Sequence, residues 1–362
     1  MRTVKAAVCR AFGAPLVIEE IRLAPPGPGQ VQVDLSACAI CHSDISYAEG
    51  AWGGHLPAVY GHEAAGVVSA LGEGVEGLAV GDSVLVTLMH HCGRCPSCAG
   101  GAPVHCEVPV DRLSGVLADT SGAVVEHGLN CGAFAEAVVV HHSQAVPVPA
   151  DLPPDAACLL SCGVVTGVGA AVNTARVRPG ETVVVIGAGG VGLNAVQGAR
   201  IAGAARIVAV DMSAEKLEAA REFGATHGVL ATDPKPWRAV QEVNHGRLAD
   251  VVLVTVGAIP AYETAPRYLA RHGRLAMVGM PHSGGKVAYE PVIVASLGQQ
   301  MLGSLMGDVQ PVRDIGWMVE LYRQGRLKLD ELVSGRWRLD QINEAIADTK
   351  AGGARRNVVV FR

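Results

Sequence analysis

Apolar residues in the first 160 or so positions of this chain come in short runs, several of them alternating with polar ones. Each run stops at a cluster of turn-forming residues. Residues 16–23, 31–37, 66–70, 83–88 and 135–140 read as strands. Between them lie Pro25-Pro26-Gly27-Pro28-Gly29, Gly72-Glu73-Gly74 and Gly81-Asp82, which favour turns over a continued ladder. Short strands at this spacing predict a barrel-like β domain.

From about Thr182 the rhythm changes to strand, helix, strand. Residues 182–187 form a continuous apolar run, 193–202 carry helical spacing, and Arg206–Asp211 is the next predicted strand. Ser213 is placed to cap a helix that has Glu215 in its first turn and ends near Gly224. Further apolar strands are predicted at 250–257 and 274–279. Strands alternating with helices predict a parallel, doubly wound sheet. After about Ser304 a mixed segment leads to a final strand at 357–361, which the pattern alone assigns to neither half.

Composition narrows the class. With 362 residues, 49% hydrophobic and 17% charged, the chain suits two globular domains. The net charge of −5 and the small basic cluster Arg355-Arg356 argue against nucleic acid or an anionic membrane as partner. The N-terminus lacks the apolar core of a signal peptide, and no apolar run nears the ~20 residues needed to cross a bilayer. A cytoplasmic enzyme is expected. Ten cysteines in so large a chain point to metal or catalytic use before disulfides.

Their spacing sharpens this. Cys92, Cys95 and Cys98 are separated by two residues each, and seven residues separate Cys98 from Cys106. Four thiolates so spaced can close a tetrahedral shell around Zn²⁺ and leave no open position, so the site would staple a lobe. Four cysteine ligands by themselves also admit an iron–sulfur cluster, the lesser reading.

Gly187, Gly189, Gly190, Val191 and Gly192 follow a predicted strand and open a helix, the setting of a dinucleotide fingerprint. Free N–H groups at that helix start would face a pyrophosphate. Asp211 ends the next strand about 20 residues on. A carboxylate there accepts ribose hydroxyls and repels a 2′-phosphate, which favours NAD over NADP and, with the motif in mid-chain, over FAD.

Cys41, His62 and Cys162 offer two thiolates and an imidazole, the donor set of a catalytic zinc with one open position. Spacing leaves open whether they meet. Here a resemblance enters. Ile40-Cys-His-Ser-Asp44, Gly61-His-Glu-Ala-Ala-Gly-Val67, the four-cysteine lobe and Ser161-Cys-Gly-Val-Val-Thr-Gly167 are similar to the zinc-containing medium-chain dehydrogenase/reductase family, alcohol dehydrogenase branch. The glycine fingerprint, Ala209-Val-Asp211 and the Arg356-Asn-Val-Val-Val360-Phe361 end match it too, in family order over nearly the whole chain.

That resemblance implies a GroES-like β-barrel catalytic domain made of residues 1–163 and 305–362, and a Rossmann NAD-binding domain of residues 164–304. It implies an active site in the cleft between them and a homodimer, in some members a tetramer. It places two zincs per chain: a catalytic one on Cys41, His62 and Cys162 with Glu63 behind it, and a structural one on Cys92, Cys95, Cys98 and Cys106. Asp44 would bond the His62 ring, and Ser43 would take the alcohol proton. His42 and Arg356 would touch the pyrophosphate, Lys216 the ribose beside Asp211, and Thr166 and Val191 the nicotinamide. Ser46 stands where many members have the relay histidine, so the proton is expected to leave through water or ribose hydroxyls.

Trp52, Leu88, Val110, Phe134 and Met306 fall at or near substrate-channel positions. Being apolar, they favour a hydrophobic alcohol or aldehyde over a polyol. Trp52, Gly54 and Val110 also stand where glutathione-linked members carry charged residues, which argues against glutathione conjugates. A thiol–formaldehyde adduct, of mycothiol for example, is the alternative substrate. A non-enzymatic NAD(P)H-binding relative is disfavoured, because every zinc ligand is present.

Overall fold

The computed structural model describes residues 1–353 and 355–361. Its strands, in chain order, are β1 (Arg2–Cys9), β2 (Val17–Leu23), β3 (Gln30–Ala39), β4 (Ala58–Val59), β5 (Glu63–Leu71) and β6 (Ser83–Thr87). Next come β7 (Leu117–Ala118), β8 (Val124–His127), β9 (Ala137–His141) and β10 (Ala145–Pro147). A second series follows: β11 (Thr182–Ile186), β12 (Arg206–Asp211), β13 (His227–Leu230), β14 (Ala249–Val254), β15 (Leu269–Met277) and β16 (Gln300–Gly303). The chain ends with β17 (Val333–Trp337) and β18 (Arg356–Val360).

The residues divide into two units, Met1–Cys162 with Gln310–Arg362, and Gly163–Val309. In the first, β1, β2, β7, β8 and β4 close a barrel, and a seven-stranded sheet runs in the order β10, β6, β5, β3, β18, β17, with β9 also on β3. In β3, Val31, Val33, Leu35 and Ala37 are buried while Gln30, Gln32, Asp34 and Ser36 stay partly exposed, so one face is core. The final strand, which pattern left unassigned, pairs antiparallel with β3 and parallel with β17.

The second unit is a six-stranded sheet in the order β13, β12, β11, β14, β15, β16, paired in parallel throughout. This is the doubly wound order with its reversal between β11 and β14. All five residues of β11 are buried, as a strand covered on both faces requires. The edge strand β16 has no apolar alternation to mark it, and neither it nor β1 is legible in the hydrophobic pattern.

The division falls at Cys162/Gly163 and Val309/Gln310, against the expected 163/164 and 304/305. Packing explains the later second break. A Cβ on Gly307 would lie 2.5 Å from the Val165 carbonyl oxygen, and Asn173 Nδ2 donates to the Gly307 carbonyl at 3.2 Å. Met306 therefore belongs with the second unit.

Candidate metal centres and cofactor site

Cys41 is the N-cap of the helix His42–Ala48 and keeps an extended backbone (φ −107°, ψ 150°). The buried Asp44 side chain accepts the Cys41 N–H at 3.0 Å and the Gly61 N–H at 2.9 Å. Its Oδ1 also lies 2.8 Å from Nδ1 of His62. One carboxylate thus fixes the start of the Cys41 helix, the turn before His62 and the ring itself. An Nδ1–H given to Asp44 leaves Nε2 as the ligand nitrogen. That Nε2 is buried and has no hydrogen-bond partner.

The ligand atoms of Cys41, His62, Glu63 and Cys162 all lie within 4.8 Å of one another, and all four residues are buried. A hydrogen bond from Cys162, together with His62, holds the Cys41 thiol well below its usual range. Sharing with Cys41, and burial, push the Cys162 thiol up. Burial disfavours a charged His62, but Asp44 and Cys41 outweigh it and raise the imidazole well above its ordinary value. Two thiols and an imidazole so packed call for a cation, and soft sulfur with nitrogen suits zinc. The donor set fits the metal.

Two further groups were not foreseen at this site. Arg356 is buried and pairs through its guanidinium with Glu63. The resemblance puts Arg356 at the pyrophosphate; here one guanidinium nitrogen pairs with Glu63, because a buried carboxylate needs a partner, and Nε has no hydrogen-bond partner. Burial lifts the Glu63 carboxyl to about 7 against the opposing pull of Arg356. The register explains the pairing, since Ala39 of β3 opposes both Glu63 of β5 and Val358 of β18. Thr87, also unforeseen, donates its hydroxyl to the Ser161 carbonyl at 2.7 Å, and Ser161 donates to the Ala64 carbonyl at 3.1 Å. These bonds tie the residue before Cys162 to β5 and β6. A threonine at a strand end gives no sequence signal of that role.

The other four cysteines also meet. Cys92, Cys95, Cys98 and Cys106 bring their sulfurs within 4.8 Å of one another on a partly exposed loop. Backbone N–H groups point at the sulfurs: Cys95 to Cys92 and Cys92 to Cys106, each at 3.3 Å. Donation from Arg94 and Cys95 lowers the Cys92 thiol to about 6, so thiolate is favoured there. Cys95 caps the short helix Pro96–Ala99, with proline at its start.

In the second unit Gly187 turns the chain at φ 95° and the helix Gly190–Ile201 begins behind Gly189. A Cβ on Gly192 would lie 1.8 Å from the Gly187 carbonyl oxygen, whereas nothing lies within 4 Å of one on Gly189. Gly192 serves packing; Gly189 leaves open space beside the helix N-terminus. Asp211 accepts the Ala188 N–H at 2.7 Å and the Ser213 N–H at 3.0 Å, so its carboxylate is pinned against the glycine turn. Ser213 caps the helix Ala214–Glu222 through the Lys216 N–H at 3.3 Å, leaving Lys216 in its first turn. Thr166 is buried in the helix Gly163–Gly169, its hydroxyl 3.7 Å from the Met306 sulfur. A Cβ on neighbouring Gly167 would lie 2.3 Å from the Val191 carbonyl oxygen, so Thr166 and Val191 stand on two closely packed helices.

Among the remaining expected residues, His42 is exposed and Ser43 and Ser46 are half-buried. Trp52, Leu88 and Val110 are half-buried. Phe134 lies deeper. It is 1% exposed and lies in the barrel-unit core, its N–H on the Tyr60 carbonyl and its carbonyl on the Ala7 N–H. A Cβ on Gly61, the residue before His62, would lie 2.7 Å from the Phe134 Cδ1, so the ring packs against the turn that carries that ligand.

Comparison with known proteins agrees with this geometry. The alcohol dehydrogenase GroES-like domain matches residues 27–150, and the zinc-binding dehydrogenase domain matches residues 190–323. The chain is 35% identical to the NDMA-dependent alcohol dehydrogenase of Amycolatopsis methanolica, over 98% of each chain. An alcohol dehydrogenase zinc-binding domain protein from Burkholderia ambifaria superposes with a TM-score of 0.95 at 35% identity, covering 100% of this chain and 99% of that one. Benzyl alcohol dehydrogenase from Acinetobacter calcoaceticus superposes with a TM-score of 0.93 at 30% identity, covering 100% of both. With its barrel, its parallel sheet and these matches together, the chain belongs to the zinc-dependent medium-chain alcohol dehydrogenase family.

Proposed function

We propose that this protein oxidises an apolar primary or secondary alcohol reversibly, with zinc and NAD as its cofactors. The observation that carries the reading is the buried set Cys41, His62 and Cys162, whose imidazole Nε2 lacks any protein partner. Zinc held by these three residues would supply a Lewis acid that lowers the pKa of an alcohol hydroxyl, and NAD would accept the hydride. Every other role falls to the chain. Asp44 keeps the His62 proton on Nδ1, and Ser43, in the first turn after Cys41, takes up the hydroxyl proton. With Ser46 in place of a histidine, no side chain there can act as a base near pH 7, so the proton passes on through water or ribose hydroxyls.

Glu63, balanced by Arg356, stands by as a spare ligand. The four-cysteine lobe holds a second zinc that staples residues 92–106. In the second unit Gly189 leaves room for a pyrophosphate at the helix start, Lys216 supports the adenosine ribose, and Thr166 and Val191 back the nicotinamide. Asp211 favours NAD over NADP, since a pinned carboxylate repels a 2′-phosphate. Trp52, Leu88 and Val110 give the substrate apolar walls. The free outer edge of β16 and the exposed Val292 and Ile293 support a homodimer built on the second unit. No single helix among the described residues is long and apolar enough to cross a membrane.

A second reading concerns the oxidant. A 35% identical relative is named NDMA-dependent, which favours a cofactor that stays bound and is reoxidised by an added acceptor. A panel of aliphatic, allylic and aromatic alcohols separates these, assayed with NAD, with NADP and with NDMA. Reduction of added NAD by apolar alcohols is the expected result. Turnover only with NDMA supports the bound-cofactor reading. Activity confined to formaldehyde plus a thiol overturns both.

A further inference from the structure

Glu126 is a buried carboxylate, 1% exposed, in a barrel otherwise lined with valine, alanine and leucine. It grips one loop at two points. Its backbone N–H donates to the Pro57 carbonyl at 2.9 Å, and its Oε2 accepts the His55 N–H at 2.7 Å. Its other oxygen, Oε1, lies 3.0 Å from Nη1 of Arg112, a residue about one-third exposed. The next residue, His127, donates its N–H to the Arg112 carbonyl at 3.2 Å.

Glu126 and His127 therefore join two segments that no strand pairs directly: the loop 49–57 and the stretch 110–113. Gly53 and Gly54, at φ 72° and 134°, let that loop reach the carboxylate; a Cβ on Gly54 would come within 3.8 Å of Oε2. At the other end of the loop Trp52 sets its ring edge-on to Tyr47, 5.2 Å between centroids, and Tyr47 belongs to the helix that Cys41 opens. The clamp so formed sits between Trp52, three residues before His55, and Val110, two residues before Arg112.

We infer that Glu126 is a positioning residue that sets alcohol specificity, by fixing Trp52 and Val110 as walls of one substrate pocket. The inference rests on the alcohol dehydrogenase reading above. Physically, a carboxylate held by a charged and a neutral donor is stiffer than either contact alone, and its burial makes the arrangement costly to leave.

The test compares the full-length enzyme with Glu126→Gln and Glu126→Ala, on benzyl alcohol and on ethanol, with amide hydrogen exchange over residues 49–57. Glu126→Ala should raise exchange in that segment about tenfold, leave zinc content unchanged, and raise KM for benzyl alcohol about tenfold with kcat within about twofold. KM for ethanol, too small to touch both walls, should move little. Glu126→Gln keeps an acceptor for His55 and should fall between; it also serves if the alanine variant does not fold. Equal losses on both alcohols, or exchange unchanged in 49–57, overturn the inference. A wild-type enzyme inactive on every alcohol overturns the functional reading instead, and the exchange result then decides the clamp by itself.

Discussion

Asp44 and His62 face each other across 2.8 Å, the carboxylate 2% exposed and the imidazole fully buried. The carboxylate orients a ring whose opposite nitrogen has nothing else to bind, and it also caps the helix that starts at Cys41. Replacing Asp44 by Asn keeps the shape and removes the charge. Zinc affinity at the buried site should fall about 10–100-fold while the four-cysteine site keeps its metal. Chelator competition on the purified variant, read as two separate zinc losses, checks this. Parallel loss of both metals would show a general unfolding.

The glycines of the fingerprint should separate by experiment. Gly192→Ala forces a methyl to 1.8 Å from the Gly187 carbonyl oxygen and should cost about 3 kcal/mol or more of stability. Gly189→Ala meets nothing within 4 Å and should leave stability within about 0.5 kcal/mol, yet raise KM for NAD severalfold. Denaturant midpoints and cofactor titration give both numbers. A stable Gly192→Ala chain would contradict the packing role.

His127 sets a pH dependence of stability. Burial, with a smaller contribution from Arg112, lowers its imidazole to about 4, and Asp111 only partly offsets this. Between roughly pH 6.5 and pH 4 the unfolded chain therefore holds a proton that the folded chain does not. Stability from this group is complete above pH 6.5 and declines as pH falls toward 4, by at most roughly 3 kcal/mol. Urea midpoints for wild type and His127→Leu, compared from pH 4 to 7, should diverge in slope across that window. Parallel curves would remove the assignment.

What the sequence discloses depends on how local each feature is. The four-cysteine lobe spans fifteen residues, and the glycine turn is one strand–helix junction, so spacing and turn chemistry carry both. Cys41, His62 and Cys162 come from three separate stretches. The pairing of β3 with β5, the Asp44 carboxylate and the bonds of Ser161 with Thr87 and Ala64 bring them together. Resemblance supplied what spacing could not. It did not supply the contact between Arg356 and Glu63, which follows from a buried carboxylate that needs a cation. Glu126 was invisible in the sequence, since its partners lie 14 and 71 residues away along the chain and follow from the β4–β8 pairing.

If the buried cysteine–histidine set is a zinc site at which an alcohol is oxidised, its metal and the turnover must be lost together. Metal content and NADH formation at 340 nm, measured on one preparation of wild type and of Cys162→Ser, test it most directly. Two zincs per wild-type chain are expected, one for each cluster, with NADH formed on adding an apolar alcohol and NAD. Cys162→Ser should keep the lobe zinc, lose the other and lose all turnover. A Cys162→Ser enzyme that still oxidises alcohol at the wild-type rate, or a wild type active with the lobe zinc alone, would contradict it.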